Sequence, residues 1–225
     1  MNIHILELRT RIIYCIFFVF INFFVLFYYS EILYDIFSNP IVKQLPQKSS
    51  IVATKLTSTF FIPLKLSFYV SIILSMPYLM YNFWNFVSPG LYISEKKTFF
   101  PFMFYSVMLF YFGLLFSFYL VCPLAINFFI NSSPISVVIM VDIGNYMDFI
   151  FEISVVCGLS FQTPLIIKLL LSMRLFSKDD LREKRSYIIV LAFILGMLLT
   201  PPDFISQVLI AIPICVLFEI GLLIS

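Results

Sequence analysis

Phe86-Val-Ser-Pro-Gly-Leu-Tyr-Ile-Ser-Glu-Lys-Lys97 is a short polar segment between two long apolar runs, residues 66–86 and 100–121, neither of which contains a charged residue. Of the 225 residues, 62% are hydrophobic and 12% are charged, and the mean hydropathy is +1.06. A soluble domain averages about 45–50% apolar and about 25% charged residues. The composition therefore predicts an integral membrane protein, and its few intramembrane polar residues become candidates for function.

Six apolar runs are candidates for membrane-spanning helices, which need about 20 apolar residues each. Thr200-Pro-Pro-Asp203 separates the last two runs. Two prolines cannot continue a helix and Asp203 is suited to cap the next one, so we expect a tight hairpin there. We predict an all-α membrane protein with a single membrane domain over residues 1–225 and six spans, at about residues 12–29, 66–86, 100–121, 149–171, 187–199 and 204–224.

The distribution of Lys and Arg predicts the orientation of these spans. Basic residues cluster in the N-terminal head (Arg9 and Arg11), between the second and third spans (Lys96 and Lys97), and in residues 178–185. Because basic loops stay on the inner side, we place both termini inside. An acidic residue interrupts the basic head and no small-residue cleavage site follows the first run, so we expect that run to be retained as a transmembrane helix.

Several functional classes are excluded by composition. The formal net charge of +2 is too small to predict nucleic-acid binding. His4 is the single histidine and the four cysteines lie far apart, so we expect no metal site and no cofactor. The chain contains no nucleophile elbow, P-loop or zinc-protease motif, and we therefore predict that it is not an enzyme.

Two carboxylates on the predicted inner face have basic neighbours. Glu7 lies four residues before Arg11, and Glu95 lies at the entry to the third span. A carboxylate accepts an arginine fork through two parallel hydrogen bonds, so the two together could hold an arginine-rich ligand. The alternatives stay open: Glu95 could be a solvated first-turn residue behind Ser94, and Glu7 could simply pair with Arg11 along the helix.

Polar residues within or between the later spans form a second group. Gln162 lies midway along the fourth span beside Pro164, which should kink the helix. Glu219, an acid within the sixth span, is either a functional group or part of a structural hydrogen bond. Thr200 and Gln207 flank the hairpin and could bond a partner helix or only cap the hairpin.

Motifs spread over the whole chain carry a resemblance to a known family. They are His4-x-x-Glu-Leu-Arg-x-Arg11, Pro40-Ile-Val-Lys-Gln-Leu-Pro46, Phe86-Val-Ser-Pro-Gly-Leu-Tyr-x-x-Glu-Lys96, Gly158-Leu-Ser-Phe-Gln-Thr-Pro164, Asp180-Leu-Arg-x-Lys-Arg-x-Tyr187 and Gly196-Met-Leu-Leu-Thr-Pro-Pro-Asp-x-x-Ser-Gln207. On these motifs the chain resembles the TatC family, the multispanning receptor subunits of the twin-arginine protein translocase.

The resemblance implies a bent, cup-shaped bundle of six helices with both termini inside. It implies that Glu7 and Glu95 bind the twin arginines of a folded cargo's signal peptide, with Arg9, Arg11 and Phe86 in the same site. It also implies assembly into an oligomer with TatA- or TatB-type single-span helices, and transport driven by the protonmotive force. The residues assigned to partner-helix or intramembrane contacts are Gln162, Thr200, Asp203, Gln207 and Glu219.

One position departs from the family pattern, because Gln162 stands where the family commonly has Glu; the amide keeps hydrogen bonding but carries no titratable proton. The Phe- and Ile-rich composition and the end of the chain at Ser225 favour an organelle-encoded protein. We expect the mitochondrial inner membrane, with the plastid thylakoid and the bacterial inner membrane as alternatives. The functional alternatives are a small-solute secondary transporter and a structural subunit of a respiratory complex.

Overall fold

The computed structural model of the chain describes residues 2–44, 50–53, 57–87, 99–132, 140–172, 176–199 and 204–224. Nearly all of these residues are helical. In chain order the elements are α1 (Asn2–Tyr28), α2 (Ser30–Gln44), β1 (Ser50–Val52), α3 (Ser58–Val87), α4 (Phe99–Phe116), a π-helical turn (Ser117–Val121), α5 (Cys122–Ser132), β2 (Met140–Asp142), α6 (Ile143–Ser160), α7 (Thr163–Ser172), α8 (Lys178–Glu183), α9 (Arg185–Leu199) and α10 (Phe204–Ile224).

Four of the described helical segments are long and apolar enough to cross a membrane, namely Leu6–Tyr28, Phe60–Phe86, Pro101–Ser132 and Ile143–Ser172. They overlap the first four predicted spans. The described apolar runs of α9 and α10 are shorter, Arg185–Met197 and Ile210–Leu223. An almost entirely helical, multispanning protein is therefore confirmed, whereas six spans with both termini inside stay a prediction.

The third span continues beyond its predicted end at residue 121. Pro123 lacks a backbone N–H, and its ring crowds the preceding turn of a regular helix. The π-helical turn lies directly before it, and there the Cys122 N–H bonds to the Ser117 carbonyl, five residues back. This widened turn lets the helix pass the proline and run on to Ser132.

The fourth span is interrupted where Pro164 predicts a kink. Helix α6 ends at Ser160, and α7 begins at Thr163. At the other end of α6, Asp142 Oδ1 accepts the backbone N–H groups of Gly144 (2.7 Å) and Asn145 (3.2 Å). This N-cap satisfies two amides at the helix start and sets where the helix begins.

The described residues form two compact units. In the first unit (Met1–Asn39 and Ala53–Val107), α1 and α3 pack side by side and antiparallel. The ring of Phe18 lies 4.6 Å from that of Tyr78, and the Asn22 side chain donates a 2.9 Å hydrogen bond to Ser75 Oγ. A hydrogen bond of this kind between membrane helices is worth about 0.6–2 kcal/mol.

In the second unit (Pro40–Val52 and Met108–Ser225), helix packing relies on close backbone approach. A Cβ placed on Gly113 would lie 2.8 Å from the carbonyl oxygen of Cys157, and one on Gly158 would lie 2.7 Å from the ring of Phe110. Small residues let membrane helices approach this closely. A separate apolar cluster joins α7, α8 and α10 through Ile167, Leu181, Phe218 and Leu222.

Strands β1 and β2 were not predicted from the sequence. They pair in parallel, with Ser50 opposite Met140 and Val52 opposite Asp142. The pairing joins the segment after the first span to the segment before the fourth. Because the strands are three residues each and far apart in the chain, no local pattern indicated them.

Candidate functional site

Glu7 and Arg11 form an ion pair one turn apart on α1. Arg11 donates from Nε and Nη2 to Glu7 Oε1, at 3.1 Å and 2.7 Å. The Glu7 side chain is 36% exposed and the Arg11 side chain is 26% exposed. The helical pairing that the sequence left open for Glu7 is therefore present. It also shows that this carboxylate accepts a guanidinium at a partly exposed position.

Phe86 lies near the end of α3, and it lines an open apolar groove together with Arg11. The groove has a volume of about 470 Å³ and runs between residues 8–20 of α1 and 68–86 of α3. The structure thus brings Glu7, Arg11 and Phe86 to one end of the α1–α3 pair. Arg9 is exposed on α1, and Glu95 lies outside the described residues.

The sequence did not single out Asn82, which is a second polar residue of the groove lining. Asn82 is buried, and its amide donates to the carbonyl of Tyr78 at 3.0 Å. Its place in the groove depends on the antiparallel packing of α1 on α3. The apolar spacing of each helix alone gave no sign of that pairing.

Glu219 forms a 2.7 Å ion pair with Arg185. The two side chains are about half exposed, at 45% and 48%. Glu219 stands 15 residues after the start of α10, and Arg185 stands 14 residues before the end of α9. In an antiparallel hairpin, positions equally far from the turn lie side by side. That equal spacing is the sequence signal by which Arg185 could have been found.

Gln207 joins the same two helices nearer their connection. Its Nε2 donates to the backbone carbonyl of Phe193 at 2.9 Å. Gly196 packs against the Gln207 side chain so closely that a Cβ placed on Gly196 would lie 3.1 Å from Gln207 Cγ. Gln207 therefore bonds within the hairpin, and its predicted contact with a partner helix stays a prediction. Thr200 and Asp203 lie outside the described residues.

Gln162 lies at the break between α6 and α7. Its backbone carbonyl accepts the N–H groups of Leu165 and Ile166, both at 3.0 Å, so the residue caps the start of α7. Its side chain is 7% exposed and is therefore buried within this chain. The predicted contact with a partner helix at this residue stays a prediction.

The model of the family described as TatC, Sec-independent protein translocase protein, matches residues 3–213 of the chain. The chain belongs to the TatC family. It is 45% identical over 222 residues to the Sec-independent protein translocase protein TatC of Escherichia coli K12, a match that covers 99% of this chain and 86% of that protein. It is 42% identical to the TatC protein of Haemophilus influenzae, over 99% of this chain and 87% of the relative.

Solved structures agree with this family assignment. A crystal structure described as the twin-arginine translocase receptor TatC is 32% identical, with a TM-score of 0.89 over 98% of this chain and 96% of that one. A second, of TatC in the detergent DDM, gives a TM-score of 0.90. The resemblance to TatC inferred from the motifs is confirmed, and membership decides against a solute carrier or a respiratory subunit.

TatC membership makes this chain a multi-pass integral membrane protein and a component of a protein translocase. The relatives named above are bacterial. They do not support the expectation of a mitochondrial membrane, which rests on composition. The roles of the individual site residues also stay predictions.

Proposed function

We propose that this TatC chain is the receptor subunit of a twin-arginine translocase, and that Glu7 and Glu95 bind the paired arginines of a cargo signal peptide. The observation that carries the proposal is the match to a structure described as the twin-arginine translocase receptor, over 98% of this chain. Arg9, Arg11 and Phe86 contribute to the same site. The proposed activity is binding followed by transport on the protonmotive force, with no chemical step.

The geometry of Glu7 supports this role. A signal-peptide arginine presents the same guanidinium that Arg11 presents, and two parallel N–H bonds give both charge and shape complementarity. Glu7 is 36% exposed, so an incoming side chain can reach it. An exposed pair of this spacing is worth about 0.3–0.5 kcal/mol. Displacing Arg11 therefore costs the ligand no more than a few-fold in affinity.

A peptide-binding experiment tests the proposal. The full chain in nanodiscs is titrated with a fluorescent signal peptide carrying two arginines, and the same peptide with two lysines is the ligand control. Glu95→Gln and Glu7→Gln should each weaken binding at least tenfold, while Glu183→Gln, an exposed acid on α8, should bind normally. Wild-type affinity in both site variants would overturn the site assignment.

The α9–α10 hairpin is the proposed contact for TatA- or TatB-type helices. One row on α9 is apolar and exposed, and it includes Val190, Ile194 and Met197. Gln207 lies near the connected end, and Glu219 and Arg185 join the other end. In the sequence, Thr200 and Asp203 fall between the two helices. Cysteine crosslinking from Met197→Cys to a co-expressed single-span partner should succeed. Crosslinking from Leu124→Cys on α5, also exposed, is the control and should fail.

We also propose six spans with both termini inside, in the cup-shaped arrangement that the resemblance implies. The basic residues of α1 and of residues 178–185 support this orientation. The composition supports a mitochondrial inner membrane. Labelling of single cysteines at residues 2 and 225 from each side of sealed vesicles checks the topology, and fractionation of the source cells checks the compartment.

A further inference from the structure

The α1–α3 groove extends along the two helices beyond the proposed signal-peptide site, which uses only Arg11 and Phe86 at one end of the lining. Its lining lies within two segments able to cross a membrane, Leu6–Tyr28 and Phe60–Phe86. Its side chains are in part exposed, for example Ile16 at 52%. The medium beside the groove is therefore the bilayer. We propose that this groove binds one acyl chain of an anionic phospholipid, with the phosphate held at Arg11.

The dimensions of the groove fit one acyl chain. Its uncharged part runs from Ile12 to Phe20 on α1, about 12 Å at 1.5 Å per residue. One leaflet of the hydrocarbon core is about 15 Å thick, half of about 30 Å. The groove is thus long enough to hold a lipid tail from the headgroup level to near the middle of the bilayer.

A transmembrane helix of a partner, or of a second copy of this chain, is the competing occupant of the groove. If such a helix packed there, filling the groove would change the oligomer size and leave the lipid count unchanged.

The chemistry of the lining disfavours an extended peptide. Backbone N–H and C=O groups placed in hydrocarbon need hydrogen-bond partners. Apart from the thiol of Cys15, the polar side chains of the lining are Arg11 and Asn82. The amide of Asn82 already donates to the carbonyl of Tyr78. A hydrocarbon chain brings no such requirement.

The charge at one end of the groove selects the headgroup. Arg11 uses Nε and Nη2 for Glu7, and its Nη1 takes no part in that pair. A guanidinium has donors enough to bond a carboxylate and a phosphate together. Arg9, two residues away, is exposed and adds a second positive charge. A lipid with a net negative headgroup is therefore favoured over a zwitterionic one.

Native mass spectrometry of the full chain tests the proposal. The delipidated protein in detergent is titrated with phosphatidylglycerol or with phosphatidylcholine of the same chains. Wild type should retain one phospholipid per chain and prefer phosphatidylglycerol about fivefold, the equivalent of about 1 kcal/mol for one basic residue. Cys15→Trp, which fills the groove, should lose that lipid, and Val19→Trp is a second filling variant. Phe17→Trp, at an exposed position on the face of α1 away from the groove, is the control and should retain it.

The headgroup is tested separately. The double variant Arg9→Gln/Arg11→Gln should keep the bound lipid but lower the preference for phosphatidylglycerol to about one, whereas Arg182→Gln on α8 should keep the wild-type preference. Lipid retention by both filling variants would overturn the proposal. The proposal would also be overturned if a filling variant changed the oligomer size but bound the same number of lipids. That result would assign the groove to a protein partner.

Discussion

The α1–α3 pair and the α6–α7 segment differ in how much of their apolar surface is buried within the chain. None of the residues in the apolar stretch of α1 is buried within the chain, whereas 56% of the residues in the apolar stretch of α6–α7 are buried. The α1–α3 pair carries Glu7, Arg9 and Arg11 at one end and Lys65 toward the other, and it leaves an apolar groove open along part of its length. The α6–α7 segment packs against its neighbours through glycines and serines. We therefore propose that binding belongs to the more exposed α1–α3 pair and stability to the buried segment.

The largest expected effect on stability is at Gly113. Gly113→Ala places a Cβ 2.8 Å from the backbone oxygen of Cys157, which cannot move without its helix. Overpacking of this kind costs about 1–3 kcal/mol. Gly158→Ala should cost less, because the atom that it meets belongs to the Phe110 ring, which can rotate away.

Thermal unfolding in mild detergent, followed by circular dichroism, measures both variants. Leu159→Ala, next to Gly158 but 53% exposed, is the control. We expect it to lie within about 0.5 kcal/mol of wild type. Equal melting temperatures for Gly113→Ala and Leu159→Ala would contradict the close packing of the α4 segment on α6.

The Arg185–Glu219 pair should contribute less. The pair is half exposed, so we expect a coupling energy of about 0.2–1 kcal/mol. A double-mutant cycle with Arg185→Gln and Glu219→Gln measures it. The Arg182–Asp179 pair, at 3.7 Å and more exposed, is the matched comparison and should show no coupling. Equal coupling in the two pairs would argue against a specific link between α9 and α10.

Glu7→Gln should separate binding from stability. The loss of an (i, i+4) pair costs about 0.2–0.5 kcal/mol, so the melting temperature should barely change while binding of the arginine peptide weakens at least tenfold. The same preparation of nanodiscs serves for both measurements. A large drop in stability together with normal peptide binding would reverse the roles that we assign to the two regions.

The smallest effect is a pH dependence at the start of α8. Hydrogen bonds from Ser177, through its side chain and then its backbone, lower the pKa of the Asp180 carboxyl. The stabilisation by this capping box is therefore complete above the usual Asp pKa of about 3.9. It is lost as the pH falls through the lowered value. In an NMR titration, Ser177→Ala should move the midpoint of Asp180 upward, and an unchanged midpoint would contradict the capping box.

The sequence predicted the site only in part. Glu7 and Arg11 were recognised because they are one turn apart on a helix, and that spacing is local. The break at Phe161–Gln162 followed from Pro164, again a local cause. Asn82 and the groove were missed because each depends on how α1 packs on α3. Arg185 was missed although the predicted hairpin and its distance from the turn pointed to a contact with Glu219. The continuation of the third span past Pro123 was missed because the π-helical turn that accommodates the ring has no simple sequence signal.

The sequence by itself determined that this is a multispanning membrane protein of the TatC family. Long apolar runs and prolines act within a single helix, and family motifs are linear patterns. Tertiary structure alone decided that β1 pairs with β2 and that α1 and α3 leave a groove between them. The physical reason is that each of these contacts joins residues far apart in the chain, so each depends on how the helices pack.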